Sequence, residues 1–177
     1  MSSPLIRLET PRTIMSDIMV EHAPVMYDMN LDPLVIQYTG DGPFASLEAT
    51  QNFIRQYDQY QKYQVGRLAI VLKQDQTCIG WCGLKYTAEN NEYDIGFRLL
   101  RAYWNQGYAT ETALASLAYG FNTLGLNRIV GRAMTANSTS VKVLKKIGMT
   151  YSHDFNFDNQ PGVVYALDRA DYIKQQA

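Results

Sequence analysis

The spacing of apolar positions changes twice along the 177-residue chain and divides it into three zones. In the first, Leu5 to about Tyr63, the pattern predicts a short strand around Leu5 to Glu9 and a second around Thr13 to Met15. Helical segments interrupted by Pro24, Pro33 and Pro43 follow, and a helix is predicted from about Ser46 to Tyr63, since proline breaks a helical run. The middle zone alternates at the period of a strand over Arg67 to Lys73, Thr77 to Tyr86 and Tyr93 to Leu100. The short polar links Gln74 to Gln76 and Ala88 to Asn91 suit hairpin loops, so these three strands form an antiparallel meander. In the third zone Ala113, Leu114, Leu117, Ala118, Phe121 and Leu124 recur at intervals of three and four, as on a core-facing helix ended by Gly125. A strand at Arg128 to Met134, a helix at about Ser138 to Ile147 stopped by Gly148, and strands near Thr150 to Phe157 and Val163 to Asp168 complete the chain. The expected fold is α/β or α+β: a mostly antiparallel mixed sheet of six or seven strands flanked by helices, with one parallel strand-helix-strand crossover.

The length suits one compact domain over residues 1–177. Apolar residues make up 46% and charged residues 19%, an ordinary globular composition. The formal net charge of −1 supplies no field that would draw the molecule to nucleic acid or anionic lipid, so neither is an expected partner. The leading residues Met1 to Arg7 lack a basic region followed by an apolar run, and no apolar stretch approaches about 18 residues; a cytoplasmic protein is expected. Cys78 and Cys82 lie four apart in a predicted strand, on one face of it, and read as reduced thiols rather than a disulfide or metal pair.

Trp104-Asn105-Gln106-Gly107-Tyr108-Ala109-Thr110-Glu111 joins the end of a strand to the start of a helix. Backbone N–H groups at a helix start lack intrahelical partners and sit at the positive end of the helix dipole, so an anion is favoured there. Gly107 allows close approach of a ligand and Ala109 keeps the first turn clear, so a pyrophosphate would fit; the fragment alone is equally an ordinary helix start. The Gly-Lys-Ser/Thr of a P-loop and the three spaced glycines of a dinucleotide-binding turn are both missing.

Asp94-Ile95-Gly96-Phe97-Arg98-Leu99-Leu100, followed by Tyr103 to Ala113, resembles the coenzyme A-binding motif of the GNAT acetyltransferases. The nearest resemblance is to their ribosomal-protein N-terminal acetyltransferase branch. Asn137-Ser138-Thr139-Ser140 through Lys146-Ile147-Gly148-Met149 resembles that branch's Asn-x-x-Ser helix, and Leu5 to Thr10 its opening. Three positions depart from the family pattern. Trp104 stands where most members carry Gln or Arg, Asn105 replaces a usual glycine, and Ser152 occupies a position that often holds Glu.

The resemblance implies a GNAT fold and an acetyl-coenzyme A-dependent N-acetyltransferase, without a metal. The acceptor amine, on a protein N-terminus or a small molecule, would attack the thioester directly with both substrates bound. A non-catalytic acyl-coenzyme A-binding or sensor module is the rival reading. An α-amino group titrates near about 8 and needs little help at neutral pH, whereas a lysine amine, near about 10.4, needs a base.

Asp94 is the candidate base, with Glu92 on the same strand face; either carboxylate alternatively plays a structural part. His153 is a further acid–base candidate or a structural histidine, and His22 reads as a surface helix residue. Ser140 is the candidate proton donor to the thiolate, or else packs and caps its helix. Asn137 would bind the pantetheine amides or cap the same helix. By resemblance, Phe97, Arg98 and Leu99 offer a strand edge to pantetheine, while Asn105, Gln106, Gly107, Tyr108, Ala109 and Thr110 form the pyrophosphate loop. Lys145, together with Lys142, would meet the 3′-phosphate or lie on a solvated face. The segments implied to hold the acceptor carry Asp28, Asp32, Asp41, Asp154 and Asp158, which would attract a cationic amine. Tyr57, Tyr60 and Tyr63, spaced by three, suggest helix packing. Either a monomer or a homodimer is compatible with the chain.

Overall fold

The computed structural model describes residues 5–157 and 159–177; Met1 to Pro4 and Asp158 lie outside the described residues. Eight strands form one sheet: β1 (Ile6–Glu9), β2 (Thr13–Asp17), β3 (Arg67–Leu72), β4 (Cys78–Thr87), β5 (Glu92–Leu99), β6 (Arg128–Met134), β7 (Thr150–Phe157) and β8 (Gln160–Asp168). Their order is β1-β2-β3-β4-β5-β6-β8-β7, with β5 and β6 parallel and the other neighbours antiparallel. This is the expected mixed sheet with one crossover, extended to eight strands because the N-terminal hairpin β1–β2 joins the meander through β3.

The crossover helix α5 (Tyr108–Ala118) lies against β4 and β5. Ala113 and Leu117 on its inner face and Phe121 just past its end are fully buried, as the three-and-four spacing requires, whereas Leu114, expected on the same stripe, is 44% exposed. Regular helix stops before Phe121, and a wide π turn over Tyr119–Thr123, closed by Leu124 N–H donating to the Tyr119 carbonyl at 3.1 Å, carries Phe121 into the core. The short helix α6 (Ser138–Lys146) follows β6.

On the other face stand α1 (Ala23–Leu31), α2 (Pro33–Ile36) and α3 (Leu47–Arg55), with α1 against β4, while α4 (Gln59–Tyr63) packs Tyr60 and Tyr63 on the core shared with α5. Pro24 and Pro33 start helices rather than interrupt them: each sits in the first turn, where a missing N–H costs nothing. The single helix expected from Ser46 to Tyr63 is broken between α3 and α4. At the break the Tyr57 hydroxyl accepts from Arg67 N–H at 2.9 Å, while the Tyr60 hydroxyl bridges Ile18 N–H, at 2.9 Å, and the Arg67 carbonyl. A C-terminal helix, α7 (Arg169–Gln176), departs from the expected elements because its polar sequence has no apolar period; its buried Tyr172 stacks 4.7 Å from Phe121, and Gln175 Nε2 donates to the Gly148 carbonyl at 3.0 Å.

Two further expectations are corrected. Val71 pairs with Cys78 but Ile70 with Gly80, so Ile79 is a bulge that resets the alternation of β4. Cys82 therefore lies buried under α5, 3.8 Å from Ser116, while Cys78 faces the α1 side. Both are free, and burial pushes the Cys82 thiol up to about 11. His22 is buried rather than on the surface: its Nδ1 accepts from Met19 N–H at 2.9 Å.

Burial holds the His22 pKa below its usual value. The unfolded chain then binds the proton more readily, so His22 should cost stability as pH falls below about 6.5. Thermal unfolding of wild type should show this decline, and His22→Gln should flatten it; identical pH profiles would dismiss His22 as its source.

Candidate active site

β5 and β6 are paired only at Asp94–Val130 and Ile95–Gly131, then part. β5 continues to Leu99 bonded only to β4, and β6 to Met134 bonded only to β8. Gly131 lets α6 crowd this fork: a Cβ there would lie 2.5 Å from Leu144 Cδ2. Beyond the fork, the backbone of Gly96, Phe97, Arg98 and Leu99 faces a cavity of about 1180 Å³ instead of a neighbouring strand.

The start of α5 lies at the same cavity. Asn105 and Gly107 both adopt left-handed dihedrals, with φ of 59° and 83°. Asparagine is among the few residues that tolerate this region, so Asn105 preserves a backbone turn that glycine would otherwise supply. Glu111 N–H is the first to bond back, to the Gly107 carbonyl at 3.0 Å, which leaves the amides of Tyr108, Ala109 and Thr110 open to an anion. Asn105, Gly107, Tyr108, Ala109 and Thr110 all line the cavity. Gln106 does not: its side chain donates to the Ala102 carbonyl at 2.8 Å. Trp104 anchors the loop by donating from Nε1 to the Leu99 carbonyl at 2.9 Å.

An unforeseen residue braces this loop from the far edge of the sheet. Arg12, in the β1–β2 turn, donates from Nη1 to the Gln106 carbonyl at 3.0 Å and from Nε to Glu111 at 2.7 Å, and its guanidinium lies 4.0 Å from the Tyr108 ring centroid. Thr10 Oγ1 also donates to Glu111, at 2.5 Å. Burial alone would raise the Glu111 pKa, but the hydrogen bonds from Thr10 and Arg12 outweigh it and hold the carboxyl below its usual value. No local pattern points to Arg12, because its partners are about a hundred positions away in the chain.

On the opposite wall, Asn137 Oδ1 accepts from Ser140 N–H at 3.1 Å and so caps α6, and both residues line the cavity. Lys142 and Lys146, one turn apart, also line it. Lys145 is on another flank of α6, 6.0 Å from the Tyr165 ring centroid, and is not brought to the cavity.

Asp94 reaches the cavity already engaged by arginines. It pairs with Arg67 Nη2 and lies 3.9 Å from Arg132 Nη1, while Arg132 also pairs with Glu92. Gly96 makes room for this arrangement, since a Cβ there would come within 2.7 Å of the Arg67 guanidinium carbon. His153 is exposed on β7, 3.0 Å from Ser152 Oγ, and is not brought to the cavity. Of the aspartates Asp28, Asp32, Asp41 and Asp154, only Asp41 lines the cavity, and it pairs with Arg98 at 2.8 Å. Asp32 pairs instead with Arg101 at 3.0 Å.

A parallel pair that forks beside an uncapped helix start is the architecture of an acyltransferase fold, and the chain's relatives agree. Residues 12–150 match the acetyltransferase (GNAT) domain family, and the chain belongs to that family. It is 30% identical over 142 residues to the uncharacterized N-acetyltransferase p20 of Bacillus licheniformis, covering 79% of this chain and 80% of that one. The FsC-acetyl coenzyme A-N(2)-transacetylase of Aspergillus fumigatus is 32% identical over 99 residues, 51% of this chain and 41% of its own. The crystal structure of a GNAT-family acetyltransferase from Bacillus anthracis superposes with a TM-score of 0.80 at 25% identity, over 92% of this chain and 98% of that one.

Removing the brace should loosen the helix start. In Arg12→Ala, hydrogen exchange at the Glu111 and Thr112 amides should quicken relative to that in the β3–β4 hairpin. Unchanged exchange there would show that the loop holds its shape without Arg12.

Proposed function

We propose that the protein transfers an acetyl group from acetyl-coenzyme A to a primary amine, on a protein N-terminus or a small molecule, with both substrates bound together. One observation carries the reading: the unpaired β5 edge beyond Ile95 leads to the open amides of Tyr108 to Thr110. An extended chain with amide groups suits such a strand edge, and a pyrophosphate suits such a helix start. The name of the Aspergillus relative, which includes acetyl coenzyme A, agrees with this donor. The resemblance of the two motifs to the ribosomal-protein branch supports an N-terminal amine among the acceptors.

Bound acetyl-coenzyme A would supply the thioester; the chain's own residues hold and orient it. The Gly96 to Leu99 backbone receives the pantetheine arm, with Asn137 Nδ2 available to it from α6, since that residue's oxygen is used by the cap. Ser140 Oγ offers a hydrogen bond to the departing sulfur without a change of charge. Lys142 and Lys146 provide positive charge for the 3′-phosphate at the cavity wall. Asp94, fixed by Arg67 and Arg132, takes the proton from the amine, directly or through a water.

Calorimetric titration with acetyl-coenzyme A, with ATP and NADH as controls, tests the donor, and thiol release with a panel of amines tests turnover. Selective binding with release supports the proposal, binding without release makes the protein a binding module, and no binding rejects both. Gly107→Val forces a β-branched residue into left-handed dihedrals at a cost of about 1–2 kcal/mol, so acetyl-coenzyme A affinity should fall about tenfold. An unaltered affinity in the folded variant would remove this loop from the site. Asp94→Asn should slow transfer about a hundredfold. A rate within about twofold of wild type in the folded variant would move proton removal to another group.

A further inference from the structure

The half of the cavity away from α5 has a charged floor on the sheet and an apolar roof from α1 to α3. On the floor, Arg67 is matched by Asp94 and Arg132 by Glu92. Two cations remain, Lys85 and Arg98. Lys85 lines the cavity and makes no ion pair among the described residues. The Arg98 side chain is only 12% exposed, and its one anionic partner, Asp41, is 61% exposed on a surface loop. Asn30 Oδ1, at 2.8 Å, and the Trp81 ring, 5.3 Å away, hold the Arg98 guanidinium in place independently of Asp41. A fixed, largely dehydrated guanidinium whose carboxylate partner is exposed is suited to exchange that partner for a ligand's carboxylate.

The roof points to the rest of the ligand. Phe44, Phe53 and Tyr57 form a ladder with centroid separations of 5.5 and 6.2 Å, running from the surface to the backbone of Arg67. Phe53, on this ladder, is 56% exposed, and Leu34, also on the lining, is 50% exposed. Apolar side chains left open at the lip of a cavity gain by covering with an apolar surface, and ring faces add a geometric preference for another flat group. A polycationic amine would be repelled by the unpaired Lys85 and would have no use for the Arg98 guanidinium.

Resting on the acetyl-transfer reading above, we propose that the acceptor is a primary amine carried on a flat apolar body that also bears an anionic group. The body lies on the Phe44–Phe53–Tyr57 ladder, the anion replaces Asp41 at Arg98, and the amine is directed toward Asp94. In the transfer the amine nitrogen forms a bond to the acetyl carbon as the C–S bond breaks, and the proton lost by nitrogen balances the one gained by the thiol.

Thiol-release kinetics with para-aminomethylbenzoate, benzylamine and spermidine test the proposal, with acetyl-coenzyme A binding measured calorimetrically on each preparation. The carboxylate-bearing amine should exceed benzylamine in kcat/KM by about tenfold, and spermidine should be the poorest. Asp41→Asn should widen the ratio between the first two amines, and Phe53→Ser should lower kcat/KM for both without lowering it for spermidine. Both substituted residues are exposed, so the fold should tolerate either change. If spermidine is preferred, if Asp41→Asn leaves the ratio unchanged, or if acetyl-coenzyme A binds and none of the three is acetylated, the proposal is overturned. In those cases the donor site stands by its own titration; loss of acetyl-coenzyme A binding overturns both.

Discussion

The parting of β5 from β6 after two residue pairs is the constraint on which the rest of the site depends. A strand inside a sheet normally has its N–H and C=O groups bonded on both sides, and leaving them unpaired in the interior is costly unless something else meets them. Here the fork ends the pairing beside a helix start whose amides are also open. Two sets of unsatisfied backbone groups thus share one cavity, and a ligand rich in amides and phosphate can answer both. The crossover through α5 creates this arrangement, since it brings β6 alongside β5 in parallel and places the first turn of the helix at the end of β5.

Distant parts of the chain keep the fork and loop in shape. Arg12 and Thr10 reach from the first hairpin to Glu111, while Trp104 and Gln106 fasten the loop to the end of β5 and the turn after it. On the other face, Gly96 makes space for Arg67, which donates at 2.6 Å to the Gly83 carbonyl and pairs with Asp94. The candidate base is thus part of the structure that ties β3, β4 and β5 together. Tyr57 belongs to both tasks, since it receives the Arg67 amide and forms the inner rung of the aromatic ladder.

Much of the fold was legible because α5 and the meander carry strong, uninterrupted periods. The limits of β6 and β7 agree with the periodic pattern, and α6 differs from it by one residue. Misreadings came where a contact from elsewhere outweighed the local pattern. The bulge at Ile79 puts Cys78 and Cys82 on opposite faces, two phenols that meet the Arg67 backbone accompany the break between α3 and α4, and the Met19 amide helps to hold His22 inside. Lys145 and His153 were plausible by position in the chain, yet helix phase and strand placement leave them off the cavity lining, while Lys146, Arg67, Trp81 and Arg132 are on it.

The amino-acid sequence by itself determined the order of the strands, of α5 and of α6, and the glycine turn at the start of α5, because these rest on periods and dihedral preferences that act over a few residues; the two motifs separately carried the resemblance to the family. Only the tertiary structure decided how far β5 and β6 stay paired, which lysines face the cavity, that Asp94 is shared by two arginines and that the half of the cavity away from α5 has a floor of arginines and carboxylates beneath aromatic rings. Those features arise from groups that are far apart in the chain and meet only when the sheet closes around its crossover, so no local pattern encodes them.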